Sequence, residues 1–171
     1  MLAPNPTTKR AQRVKWSFKP QTEGTDSLVA YGTLKNFVLR DLSDPLKSKI
    51  FSTKIMNDIT CVKYSPNGYA IAVGDEKGGL KLLGWSNAEN DFVISYENDG
   101  FLGGKINDIS WTDDAKKILV VGEGQKRAVA INVETKTNAG DLICHSANLM
   151  TCDIKNPKPY KAIVSGEDKE I

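Results

Sequence analysis

Four short apolar runs, each closed by glycine, constrain this chain more than any single residue. They are Leu28-Val29-Ala30-Tyr31-Gly32, Ala70-Ile71-Ala72-Val73-Gly74, Ile118-Leu119-Val120-Val121-Gly122 and Ala162-Ile163-Val164-Ser165-Gly166, and the closing glycines stand 42, 48 and 44 residues apart. Glycine suits such a place because it tolerates positive φ and crowded backbone. An internal period in the forties, with about four short strands per unit, is that of a β-propeller.

The flanking segments fill out each unit. Upstream of the glycines lie Val14-Lys15-Trp16-Ser17-Phe18, Ile59 to Tyr64, Ile106 to Trp111 and Leu149 to Ile154, which read as inner strands. Apolar residues alternate with polar ones in these runs, as Val14, Trp16 and Phe18 do with Lys15 and Ser17, so a strand period fits and a helical one does not. Phe37-Val38-Leu39, Leu80 to Leu83, Val129-Ala130-Ile131 and Phe92 to Tyr96 continue toward the rim. Ser65-Pro66-Asn67-Gly68 and Lys77-Gly78-Gly79 are turn signals. The fold class is therefore all-β, a propeller portion of about three and a half four-stranded blades with the ring not closed. Residues 1–12 read as an amino-terminal leader and 13–171 as the incomplete propeller, in units of about 13–53, 54–100, 101–143 and 144–171. Trp16, Tyr64 and Trp111 are expected at equivalent inner-strand positions, packing between blades. Trp85 is expected to be a packed residue ending a third strand.

Composition narrows the function. The 171 residues carry 23 lysines and arginines against 21 acids, a net charge of +2, which argues for no nucleic-acid partner. The basic cluster Lys9, Arg10, Arg13, Lys15 and Lys19 reads as a solvated leader. No stretch reaches the length of a signal peptide's apolar region or a membrane span, so no membrane partner is expected and the chain reads as soluble and intracellular. Cys61, Cys144 and Cys152 are odd in number and lie in or beside apolar strands, as buried thiols in a reducing compartment do. With His145 as the single histidine, they form no known zinc spacing, and no metal site is expected.

Catalytic chemistry finds little to stand on. Gly122-Glu123-Gly124 follows a strand, yet Arg127 takes the third glycine place of a dinucleotide loop and Ala128 to Val133 reads as strand, leaving a pyrophosphate no helix terminus. A serine or cysteine nucleophile would have only His145 as base. Asp113-Asp114 sits in an expected turn, where the raised carboxyl pKa of a general acid is not anticipated. The expectation is a binding protein, not an enzyme, with no cofactor.

Several stretches resemble WD-repeat propellers, and within them the actin-interacting protein 1 family. They are Tyr64-Ser65-Pro66-Asn67-Gly68-Tyr69 with Gly74-Asp75, Gly104-Lys105-Ile106-Asn107-Asp108-Ile109-Ser110-Trp111, Val120 to Gly124, and Lys158-Pro159-Tyr160 leading to Ser165-Gly166. The chain resembles the amino-terminal part of that family's first propeller. Departures accompany the likeness. Only Cys144-His145 is similar to the usual Gly-His pair, and the Trp-Asp place reads Arg40-Asp41, Trp85-Ser86 and Asn132-Val133. His145 is placed to reach Ser165 and Asp168, while Lys169 stands where the usual turn aspartate would be.

The resemblance implies a pair of seven-bladed propellers in one parent chain, working with cofilin to disassemble actin filaments in the cytoplasm, at the actin cytoskeleton. It places partner contacts in the loops Gly122 to Arg127 and Gly166 to Glu170, with Glu123 and Asp168 as acidic contacts and Lys126 reversing the charge found at that place in relatives. Since Ile171 falls inside a repeat, the chain reads as a fragment, with self-association through an open blade edge as a further expectation. A generic WD-repeat scaffold for complex assembly is the alternative, and a nucleotide-binding β-α enzyme a more remote one.

Overall fold

The computed structural model describes residues 17–18, 28–44, 46, 48–52, 57–89, 91–124, 128–142 and 145–169. The expected leader, Trp16, Lys126, Arg127, Cys144, Glu170 and Ile171 lie outside the described residues. Among those described there are fourteen strands and no helix.

The strands form four antiparallel sheets in chain order. The first holds β1 (Ser17–Phe18), β2 (Leu28–Thr33), β3 (Asn36–Asp41) and β4 (Ser48–Ser52); the second holds β5 (Ile59–Tyr64), β6 (Ala70–Asp75), β7 (Leu80–Ser86) and β8 (Asp91–Asn98). The third holds β9 (Ile106–Trp111), β10 (Lys117–Gly122), β11 (Ala128–Asn132) and β12 (Asn138–Asp141), and the fourth only β13 (Leu149–Lys155) and β14 (Lys161–Gly166). Every strand pairs with its chain neighbour, as short turns between antiparallel strands require. The result is an open propeller portion of about three and a half blades.

Period-two alternation decides which seam each side chain fills. In β6, Ile71 and Val73 turn toward the first sheet and Ala72 toward the third; in β11, Val129 and Ile131 turn back to the second sheet while Ala128 and Ala130 face the fourth. Phe37 and Leu39 join Tyr64, Leu83 and Phe92 in the first seam, Leu80 and Leu82 join Ile106, Ile109 and Trp111 in the second, and Leu119 and Val121 join Leu149 and Cys152 in the third. Burying each large side chain contributes about 1.5–3 kcal/mol. Trp85 is packed edge-on to Phe92 at 5.2 Å between ring centres, yet keeps 37% of its surface exposed.

A β-bulge marks the start of the inner strand in the second, third and fourth sheets: the register slips between Ile59 and Cys61, opposite Gly122 and Val121 in the third sheet, and between Leu149 and Thr151. The bulges align Ile59 with Ile106 and Leu149, and Thr60 with Asn107 and Met150. A bulge leaves one residue out of the ladder and re-aims its side chain. Thr60 uses that freedom to donate from Oγ1 to the Ile106 oxygen at 2.6 Å, and Asn107 donates from Nδ2 to the Leu149 oxygen at 2.8 Å.

The register also separates the glycines that the repeat groups together. Gly32 and Gly74 share one position, where an added Cβ would lie 2.6 Å from Cγ2 of Ile59 or Ile106 in the next sheet. Gly122 and Gly166 lie one residue later, paired with Ile106 and Leu149, and in the third sheet Val121 stands at the place of Gly74. By the same count Phe18, paired with Val29, aligns with Tyr64 and Trp111, which pair with Ile71 and Ile118.

Candidate partner interface

The turns that follow the second strand of each sheet lie at one end of the stack, beside the segments leading into the inner strands. In three sheets the first residue of that turn makes the same bond. Glu76 donates its main-chain N–H to Asp58, Glu123 to Lys105 at 2.8 Å, and Glu167 to Asn148 at 3.0 Å. The glutamates Glu76, Glu123 and Glu167 therefore occupy one equivalent position in successive blades. Glu76 and Glu167 are exposed and Glu123 is half-buried.

Each turn reaches that geometry differently. After β6, the buried Asp75 carboxylate accepts the N–H groups of Lys77 at 2.8 Å and Gly79 at 2.7 Å through Oδ1, and the Asn57 amide at 3.2 Å through Oδ2. This is the local device by which short polar side chains hold turns. After β10 the backbone itself is tight: a Cβ on Gly104 would fall 2.8 Å from the Glu123 carbonyl group, and Gly124 has φ +101°. Only glycine fits both places without strain.

After β14, the Asp168 carboxylate faces Nδ1 of His145 at 3.0 Å from both oxygens and accepts the Ser146 N–H at 3.0 Å. Its side chain is 8% exposed and that of His145 3%. The pairing of His145 with Asp168 ties the segment before β13 to the turn after β14, with Lys169 at φ +65° completing the turn. Asp168 thus shapes the loop, while the neighbouring Glu167 presents a carboxylate outward, steadied by the Asn148 amide at 3.2 Å.

Of the residues expected at a partner surface, Glu123 and Asp168 lie at this end, and Lys126 lies outside the described residues. Glu167 lies in the expected loop Gly166 to Glu170 without being among its expected contacts, and Glu76 lies outside both expected loops. Their signal was a fixed offset from Gly122 and Gly166, hidden because the second sheet has Asp75 at the matching place. At the opposite end, Asp113 accepts the Tyr160 hydroxyl at 2.5 Å, raising the phenol's pKa. Asp114 is held at about 2, chiefly by the Thr112 hydroxyl and the Lys116 N–H. Both carboxyls are occupied in loop structure. Among the described residues there is no group of three or more metal-ligating side chains and no helix long and apolar enough to cross a membrane.

No family model matches the chain. It is 33% identical over 139 residues to WD repeat-containing protein 1 of Rattus norvegicus, covering 81% of this chain and 22% of that protein. The Gallus gallus protein of the same name is 32% identical over the same shares. The chain belongs to the WD repeat-containing protein 1 family. This is the actin-interacting protein 1 family that its motifs resemble. A 66 kDa stress protein of Physarum polycephalum is 29% identical over 169 residues, 98% of this chain and 27% of that protein. The chain thus spans about a quarter or less of the length of these relatives.

Proposed function

We propose that this chain is part of a non-enzymatic binding protein that promotes cofilin-dependent disassembly of actin filaments in the cytoplasm. Family membership supports the reading, and one structural observation carries it to a surface: Glu76, Glu123 and Glu167 recur at one position in three successive blades, at the end where loops are free of packing duty. An arc of carboxylates at blade ends suits a basic protein surface. Glu123 acts in it directly, Asp168 through the turn it holds, and Lys126 adds a positive charge in the loop after β10.

The test is co-sedimentation of the full-length parent protein with filamentous actin, with and without cofilin. A cofilin-dependent transfer of actin to the supernatant is expected, reduced by joint replacement of Glu123 and Glu167 with lysine. No cofilin-dependent transfer by the parent protein would sink the assignment. A generic scaffold for complex assembly would leave actin sedimentation unchanged.

A further inference from the structure

The link from β8 to β9, residues 99–105, runs between two of the turns that carry the recurring glutamates, and it meets both through main chain. On one side the N–H groups of Phe101 and Leu102 donate to the Gly78 oxygen, at 2.9 and 3.3 Å. Gly78 lies so close that an added Cβ would stand 2.6 Å from the Gly104 oxygen and 2.9 Å from its nitrogen. On the other side Glu123 donates its N–H to the Lys105 oxygen at 2.8 Å. A Cβ on Gly104 would fall 2.8 Å from the Glu123 carbonyl group, and one on Gly124 would fall 2.8 Å from the Leu102 oxygen. Backbone approaches backbone this closely only where no side chain stands between.

The link has its own anchor. Leu102 is buried in the apolar cluster of the second seam, with Leu80, Ile106 and Trp111. The turn after β6, the link and the turn after β10 are thereby packed as one body across two sheets. The turn after β14 is fastened by side chains instead, through the His145–Asp168 pair and the bond from Asn148 to Glu167.

We propose that Gly78, Gly104 and Gly124 are positioning residues for the partner surface. By admitting the link between the two turns, they hold Glu76 and Glu123 at a fixed separation and present them as a single preformed unit. A preformed arrangement binds without the cost of ordering its loops. The proposal rests on the reading of these carboxylates as partner contacts, and adds that the glycines beneath them set the affinity.

The test compares two alanines placed in this one link of the full-length parent protein. Gly104→Ala meets the Glu123 carbonyl group, whereas Gly100→Ala has nothing within 4 Å of its Cβ. In cofilin-dependent transfer of actin to the supernatant, Gly104→Ala should need about tenfold more protein for half-maximal transfer. It should still reach the parent's plateau, since a misplaced contact weakens binding whereas misfolding removes active protein. Gly100→Ala should match the parent. Equal half-maximal concentrations for Gly104→Ala and the parent would overturn the proposal. Should Gly104→Ala lower the plateau, amide exchange of the unsubstituted protein decides instead. The N–H groups of Phe101 and Glu123 should exchange through one common opening with the same dependence on urea, and separate openings would overturn the proposal. A parent that transfers no actin would remove the reading of the surface itself, and the exchange result would then show whether the two turns still form one body.

Discussion

Thr60 donates its hydroxyl hydrogen bond to the main-chain oxygen of Ile106, 2.6 Å away in the neighbouring sheet. The bond exists because a bulge frees Thr60 from its own ladder, and it satisfies a buried carbonyl at the seam. Thr60→Val keeps the shape and removes this donor from that oxygen. A loss of about 1–3 kcal/mol is expected, read as a lower midpoint in urea denaturation, with Thr60→Ser retaining most of it. Equal midpoints for the valine variant and the parent would show that the bond contributes nothing.

Two glycines should respond in opposite ways to the same change. Gly74→Ala drives a methyl to within 2.6 Å of Ile106 Cγ2 and 2.9 Å of Cys61 Sγ, whereas Gly84 has nothing within 4 Å of an added Cβ. Overpacking at Gly74 should cost about 1–3 kcal/mol. Gly84→Ala should be neutral or stabilising by up to about 1 kcal/mol, since glycine inside a strand is entropically costly. Thermal unfolding of the two variants side by side checks the contrast.

Lys81 is buried in β7, and its ammonium pairs with Glu97 on β8. Removing half-exposed Glu97 takes away one partner of a buried charge, while an apolar side chain of similar length in place of Lys81 removes the charge itself. Glu97→Ala should therefore destabilise more than Lys81→Met, which is expected to be neutral or stabilising. Denaturation midpoints in the reverse order would contradict this.

The loop carboxyl of Asp114 adds a pH dependence. Its folded-state pKa lies at about 2, below the ordinary carboxyl value of 3.8. The folded form therefore favours the ionised group, and that stabilisation is present above about pH 4 and lost as pH falls toward 2. Asp114→Asn should flatten the decline in stability over that window. Chemical denaturation at pH 5, 4 and 3 reads the difference.

The inner strands were legible because burial on both sides wrote apolar runs into Ile59–Tyr64 and Ile106–Trp111, which form β5 and β9 with those bounds. The outermost strands were harder to see. All four residues of β12, Asn138–Asp141, are exposed, so solvation erased any apolar alternation there. The bulges were invisible as well, since a one-residue slip leaves composition unchanged, and that slip separated Gly74 from Gly122. At the candidate interface, Glu123 could be found from its flanking glycines. Glu76 and Glu167 could not, because their shared role is a main-chain bond that any residue could make. The His145–Asp168 tie was within reach as a contact, but its effect of burying the Asp168 carboxylate depends on the turn closing over it.

The seams described above differ in what fastens them. Across the third, Thr151 and Cys152 donate to Asp108, Asn107 donates to Leu149, Ser110 to Asp153, and Asp113 to Asn156, whereas the second is chiefly a broad apolar cluster latched by the Thr60 hydroxyl. Apolar attraction fades on cooling, while hydrogen bonds do not share that decline. Low temperature should accordingly loosen the large, oily joint before the small, latched one. The smallest sheet would be the last to let go in the cold.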